Sequence, residues 1–267
     1  MSAKVALVTG SSSGIGEATV KLFANKGYRV VVCGSNAEKV NRVVEECIML
    51  SDGEHMVLGL VLDFSEPTNG EVAVKRTIEH FSRLDVLVNN AGIFNRTLHT
   101  QPGPSYKAYK EIMSINLDAT VCATLASVEH LKKSKGNLIF VSSIAAARPV
   151  GDLFAYCMSK SAMSMMGKCF AIDLAPDVRV NIISPGPVKT SIMDRAGVTP
   201  EMLGQLARGT TLLGRAGESS EIASLIFYLV SGEAEFINGE EITIDGGYSL
   251  SLYSSKANEI DHKAAGN

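Results

Sequence analysis

The sequence predicts an α/β fold, a single doubly wound, mostly parallel sheet with helices on both faces, and three observations carry that reading. Short β-branched runs alternate with longer segments of helical spacing. The runs are apolar at consecutive positions, so both faces of each strand have to be covered. No linker breaks the alternation, because the one Pro/Gly cluster, Pro102-Gly103-Pro104, reads as a short loop.

Val5 to Thr9 reads as the first strand, followed by a helix from Gly14 to Lys26 in which Ile15, Ala18, Thr19, Leu22 and Phe23 share a face. Gly27 stands where a glycine ends such a helix. Tyr28 to Cys33 is the second strand, and Asn36 an N-cap for a helix over Ala37 to Leu50. Met56–Leu62, Leu84–Val88, Asn137–Ser142 and Val178–Ile183 repeat the strand pattern, with helices expected near 71–82, 106–133 and 154–175. Right-handed crossovers then place helices on both faces.

Of the 267 residues, 46% are hydrophobic, which excludes a disordered or fibrous chain. Lys and Arg total 25 against 28 Asp and Glu, a net charge of −3, so nucleic acid is not an expected partner. The N-terminal apolar run is too short for a secretory signal, and no apolar stretch approaches the ~18 residues of a membrane span. The five cysteines are odd in number and form no CxxC pair, which fits a reducing, cytoplasmic setting and no metal site. The sequon Asn95-Arg96-Thr97 is set aside for want of a signal segment.

Between the first strand and the first helix lies Thr9-Gly-Ser-Ser-Ser-Gly-Ile-Gly16. Glycines there permit a tight turn and let backbone amides at a helix N-terminus approach a pyrophosphate, so this loop predicts dinucleotide binding. Further blocks follow: Asn89-Asn-Ala-Gly92, Ser114-Ile-Asn-Leu117, Ser142-Ser143, Tyr156-Cys-Met-Ser-Lys160, Pro185-Gly186 and Asp245-Gly-Gly247. In this order and spacing the chain resembles the short-chain dehydrogenase/reductase family, from about residue 4 to about 247. The resemblance implies a Rossmann-type domain over 1–247, with a substrate lid at 187–215 and a C-terminal tail at 248–267.

Tyr156 and Lys160 are one helical turn apart, and an ammonium beside a phenol favours the phenolate, so the pair suits proton transfer. The resemblance assigns the remaining roles. Ser143 polarises the substrate oxygen, Tyr156 moves the proton, Lys160 lowers the phenol pKa and binds ribose, and Asn116 holds a relay water. The family's thirteen-residue spacing to Tyr156 selects Ser143 over Ser142. Cys157, with no histidine partner in sequence, reads as a packing or substrate-wall residue.

For the cofactor, Gly10, Ser12, Ser13, Gly14, Ile15 and Gly16 form the expected phosphate loop. Asn89 and Asn90 brace the turn above it, and Asn89 or the Ala91-Gly92 backbone meets the adenine ribose. Asp63 resembles the acceptor of the adenine amino group, its alternative being a helix N-cap. Pro185, Gly186, Val188 and Thr190 resemble the nicotinamide clamp. The second strand ends in Cys33-Gly-Ser-Asn36 with no carboxylate, and Ser12, Ser35 and Asn36 can hydrogen-bond a 2′-phosphate with Lys39 near, so NADP(H) is favoured over NAD(H).

Ile192, Met193, Met202, Leu203 and Leu206 make the lid apolar, either to contact substrate or to pack on the domain. The expected substrate is a small-molecule carbonyl or alcohol, a hydrophobic ketone or a 3-oxoacyl group, with steroid or sugar alcohols as alternatives. A catalytically silent nucleotide-binding regulator is the alternative of another class, and it typically lacks the Tyr or Lys kept here. The resemblance also implies a homotetramer, paired through segments 106–133, 154–175, 219–231 and 241–244. The tail is expected to be a flexible end, with Leu250, Leu252 and Tyr253 able to dock.

Overall fold

The computed structural model describes residues 3–192 and 197–253. Seven strands are present: β1 (Val5–Val8), β2 (Arg29–Gly34), β3 (Val57–Val61), β4 (Val86–Asn89), β5 (Asn137–Val141), β6 (Arg179–Pro185) and β7 (Glu241–Ile244). They form one sheet in the order β3-β2-β1-β4-β5-β6-β7, and every pairing is parallel.

Eight α-helices fill the crossovers: α1 (Gly14–Asn25), α2 (Ala37–Leu50), α3 (Asn69–Phe81), α4 (Pro102–Met113), α5 (Ala119–Ser134), α6 (Phe154–Asp173), α7 (Pro200–Thr210) and α8 (Ser219–Val230). Strand alternation divides the core into two layers. Val5 and Leu7 join Ala73, Ile112, Ala123 and Met163 on one face. Ala6 and Val8 join Val20, Phe23, Val40 and Ile226 on the other. Among the described residues no helix is long and apolar enough to cross a membrane, and no His/Cys/Asp/Glu cluster is suited to hold a metal ion.

Local expectations needed four corrections. The buried face of α1 is Gly16, Thr19, Val20, Phe23 and Ala24 rather than the set centred on Ile15, Ala18 and Leu22. Packing against Ile222 and Ile226 of α8 as well as the sheet turns the helix that way. Pro102-Gly-Pro104 is not a loop but the first turn of α4, where proline loses no helical hydrogen bond. The helix expected over 106–133 is interrupted by a π-helical turn at Ser114–Asp118. Tyr248–Tyr253, expected within a flexible tail, form a 3₁₀ helix. The rest of the tail, 254–267, lies outside the described residues.

The sheet reverses its winding between β1 and β4, where Asp85 secures the N-terminal ends. Its buried carboxylate accepts from Val5 N–H at 2.8 Å and from Arg83 Nε and Nη2 at 2.7 Å each. Asp85→Ala orphans the Val5 amide and is expected to cost about 1–3 kcal/mol. A lower urea midpoint would show this; an unchanged one would contradict it.

Candidate active site

At the other ends of β1 and β4 the two chains part, opening a crevice at the switch point of the sheet. Here the chain after β1 comes very close to the chain after β4. A Cβ on Gly10 (φ +64°) would lie 2.8 Å from Ala91 Cα, and one on Gly16 would lie 2.5 Å from Gly10 O. Only glycine fits either place. Thr9 Oγ1 accepts from both Asn90 N–H and Ala91 N–H at 2.9 Å. Asn90 Nδ2 donates back to Thr9 O at 2.9 Å and to Gly10 O at 3.2 Å.

This frame leaves a cradle lined by backbone. Ser13 makes no side-chain cap for α1, so the first-turn amides at Gly14, Ile15 and Gly16 are available to an anion. Thr190 packs on Gly14, its Cγ2 lying 3.1 Å from where a Cβ would stand. Gly186 lies against Asp245, with 2.6 Å between the added Cβ and the aspartate Cβ. Val188 turns its side chain into the core, and the pairing with Gly217 uses Pro187 O and Lys189 N–H rather than Val188's own amide or carbonyl. These residues fit a dinucleotide.

Beyond β2, Asn36 caps α2 as expected, its Oδ1 accepting from Lys39 N–H at 2.9 Å. Its amide NH₂ and the exposed Ser35 stay open to solvent. Ser12 packs on Gly34. Asp63 is exposed, and its carboxylate accepts from Ser65 N–H at 2.9 Å, while the N-cap of α3 is Thr68. Asn89 is drawn away from the crevice: it is fully buried and donates to Thr124 Oγ1 at 2.9 Å, so bracing falls to Asn90. Ser11, absent from the expected set, latches the loop to β2 by accepting from Cys33 N–H at 2.9 Å. Its position beside a parallel strand end was the only available signal.

The reacting groups gather at the ends of β5 and α6. The Ser143 hydroxyl accepts from Ala145 N–H at 3.2 Å and neighbours the Tyr156 phenol, whose ionised form it favours. Ser142 instead directs its hydroxyl inward, 2.8 Å from Ser164 Oγ. Lys160 is 3% exposed and its Nζ donates to Val141 O at 2.8 Å, 5.9 Å from the centre of the Tyr156 ring. Burial pulls the Lys160 ammonium down to about 8. Burial also pushes the Tyr156 phenol up, against a smaller lowering by the neighbouring Ser143 hydroxyl. Lys160 makes no contribution to that shift, so the expected lowering by Lys160 does not appear and desolvation of the phenolate dominates.

Asn116 occupies the π-helical turn with its side chain committed. Oδ1 accepts from Ile93 N–H at 2.8 Å, and Nδ2 donates to Ile93 O and to Ser159 Oγ, both at 3.1 Å. It acts as a clasp between the chain after β4 and α6. A Cβ on Gly92 would stand 3.4 Å from Asn116 Oδ1 and 3.6 Å from Lys160 Nζ, so the three meet at one point.

The wall beside Tyr156 is apolar. Phe94 meets its ring edge-on at 5.2 Å, and Ala145, Leu153, Cys157 and Ile192 complete the cluster. Phe94 and Leu153 were not anticipated from sequence, because they lie in loops without periodicity. In the segment expected to form a lid, Leu203 and Ala207 pack inward with Ala216, while Met202 and Leu206 are exposed. Met193 lies outside the described residues.

A parallel sheet wound in this order, with a glycine cradle at its switch point and a Ser–Tyr–Lys constellation beside it, defines a nucleotide-dependent oxidoreductase class. A family model described as enoyl-(acyl carrier protein) reductase matches residues 10–249. The chain is 35% identical over 248 residues to a cyclopentanol dehydrogenase of Comamonas sp. (strain NCIMB 9872), covering 92% of this chain and 97% of that protein. It is 34% identical to an L-fucose dehydrogenase of Bos taurus, covering 96% and 93%. Among solved structures, a 3-ketoacyl-(acyl-carrier-protein) reductase from Brucella melitensis complexed with NADH superposes with TM-score 0.81 at 28% identity, covering 92% and 98%. The chain belongs to the short-chain dehydrogenase/reductase family.

Proposed function

We propose that this oxidoreductase transfers hydride between NADP(H) and a hydrophobic ketone or 3-oxoacyl group, or the matching secondary alcohol. The observation that carries the reading is buried Lys160, with Nζ 5.9 Å from the centre of the buried Tyr156 ring and Ser143 beside the phenol. The nicotinamide supplies the hydride when bound. Ser143 holds the substrate oxygen and stabilises its developing charge. Tyr156 gives that oxygen a proton in reduction and removes it in oxidation. Lys160 binds ribose and restores the Tyr156 proton through a water held at Asn116. The side-chain amide of Asn116 is occupied, so its main-chain carbonyl, which accepts from Thr120 Oγ1, is the group left to hold that water.

Gly10, Ser12, Ser13, Gly14, Ile15 and Gly16 would carry the pyrophosphate, and Asn90, Ala91 and Gly92 would face the adenosine ribose. Asp63 would receive the adenine amino group, which its exposed carboxylate leaves open. Pro185, Gly186, Val188 and Thr190 would hold the carboxamide. The missing carboxylate after β2 and the open Ser35 and Asn36 groups support NADP(H). The apolar cluster around Phe94 supports an uncharged, hydrophobic group beside the reacting carbon.

A homotetramer is part of the same reading. Met158, Met165 and Ile172 repeat every seven residues along α6 and are exposed, as is Leu125 on α5. Such a stripe suits helix pairing between copies. No membrane or nucleic-acid partner is proposed, and the compartment proposed is the cytoplasm.

Tyr156→Phe is expected to lower kcat by about 10²–10⁴-fold while an NADPH fluorescence titration stays near wild type. Appreciable residual turnover would overturn the assignment, and NADPH binding without turnover by wild type over a carbonyl panel would indicate a silent regulator. Steady-state kcat/KM with each nucleotide should favour NADPH; a preference for NADH of about tenfold, worth ~1.4 kcal/mol, would reverse the cofactor reading. Sedimentation velocity should give roughly four times the 28.4 kDa chain mass, and a monomer would refute the assembly.

A further inference from the structure

A polar chain that the proposed chemistry does not use runs from the active-site corner to the edge of the sheet. Ser142 Oγ lies 3.1 Å from Lys160 O and 2.8 Å from Ser164 Oγ. Ser164 Oγ and Ser184 Oγ each lie 2.8 Å from Glu241 Oε1, and Lys168 Nζ donates to Oε2 at 2.8 Å. The three serines are buried, while Glu241 is half-buried on the edge strand β7.

Counting protons gives this chain a direction. Each serine hydroxyl has one proton, and an ionised carboxylate only accepts. Burial raises the Glu241 carboxyl, but hydrogen bonds from Lys168, Ser184 and Ser164 outweigh it and hold it below the ordinary carboxylate value. At neutral pH, then, Ser164 gives its proton to Glu241, and Ser142's one proton is shared between Ser164 Oγ at 2.8 Å and Lys160 O at 3.1 Å, the serine being the nearer. Lys160 O also receives the helical N–H of Ser164, which leaves it the weaker of the two acceptors. The order is Ser142 to Ser164 to Glu241, ending on a charge, which strengthens the last bond.

The corner under this pull carries the reacting groups. Val141 O holds Lys160 Nζ, and Ser142 N–H is tied to Ile183 O at 2.7 Å. Ser143, the next residue, neighbours the Tyr156 phenol and favours its ionised form. A rotation at Ser142 thus moves the attachment points of both Lys160 and Ser143.

We propose that Ser164 and Glu241 are positioning residues that, by drawing the Ser142 hydroxyl toward β7, fix the strand-end corner aligning Ser143 and Lys160 with Tyr156. The inference rests on the oxidoreductase reading for its effect on rate, but not for its effect on the phenol.

Two readouts test it. Ser164→Ala should lower kcat by about tenfold with KM and NADPH affinity unchanged, because small misplacements of reacting groups act on rate. Glu241→Gln, which keeps the shape but loses the charge, should move kcat the same way and less. In parallel, the Tyr156 phenolate titration, taken as the absorbance difference between each protein and its Tyr156→Phe counterpart, should shift to higher pH in Ser164→Ala. Ser164→Thr, which keeps the hydroxyl, should restore both. A Ser164→Ala protein with wild-type kcat and wild-type phenol midpoint would overturn the proposal, as would failure of Ser164→Thr to restore the midpoint. Should wild type turn over no carbonyl, the oxidoreductase reading fails, and the titration alone decides the positioning role.

Discussion

The site depends on how two chains separate at the centre of the sheet without leaving buried amides unpaired. Leaving β1 and β4, the backbone approaches so closely that a Cβ on Gly10 would meet Ala91 Cα at 2.8 Å. The cost of burying two amides there is met by one hydroxyl, Thr9 Oγ1, which takes both Asn90 and Ala91 N–H. Asn90 completes the frame by donating to the carbonyls of Thr9 and Gly10. With the Asn90 and Ala91 amides satisfied by Thr9, the glycine loop is held in place while the first-turn amides of α1 stay uncapped.

The same logic extends to the reacting groups. Asn116 grips both main-chain atoms of Ile93, just beyond that frame, and passes the hold to Ser159 on α6. The π-helical turn places its side chain there. Tyr156 and Lys160 therefore belong to a continuous hydrogen-bonded structure that begins at the glycine loop. Their burial has an electrostatic consequence, since both neutral forms are favoured by removal from water.

The apolar wall beside Tyr156 is built by residues from other segments than the Ser143, Tyr156 and Lys160 group. Phe94 and Leu153 arrive on loops after β4 and β5, and their apolar packing against Tyr156 shapes the wall. The loops are tied together by Thr97 N–H to Asp152 O at 2.7 Å and by the Arg96–Asp152 ion pair at 2.8 Å. The relatives similar to this chain over most of its length carry names as different as cyclopentanol dehydrogenase and L-fucose dehydrogenase, and loops are the part of a shared fold where such differences are commonly accommodated.

The sequence by itself determined the strands, their doubly wound arrangement and the glycine loop, whereas Ser143 was singled out only through the family resemblance. The former rest on local chemistry: consecutive β-branched residues and glycines in a strand-to-helix turn. Asn36 as the cap of α2 was legible for the same reason. Tertiary packing alone decided the rest. The face of α1 turned toward α8, Asn89 left the crevice for Thr124, and the side chain of Asn116 became a clasp. Ser164 and Glu241 came together across 77 residues. None of these has a local signature, because a buried polar group takes whichever partner the folded chain brings within reach, and that partner is set by distance in space.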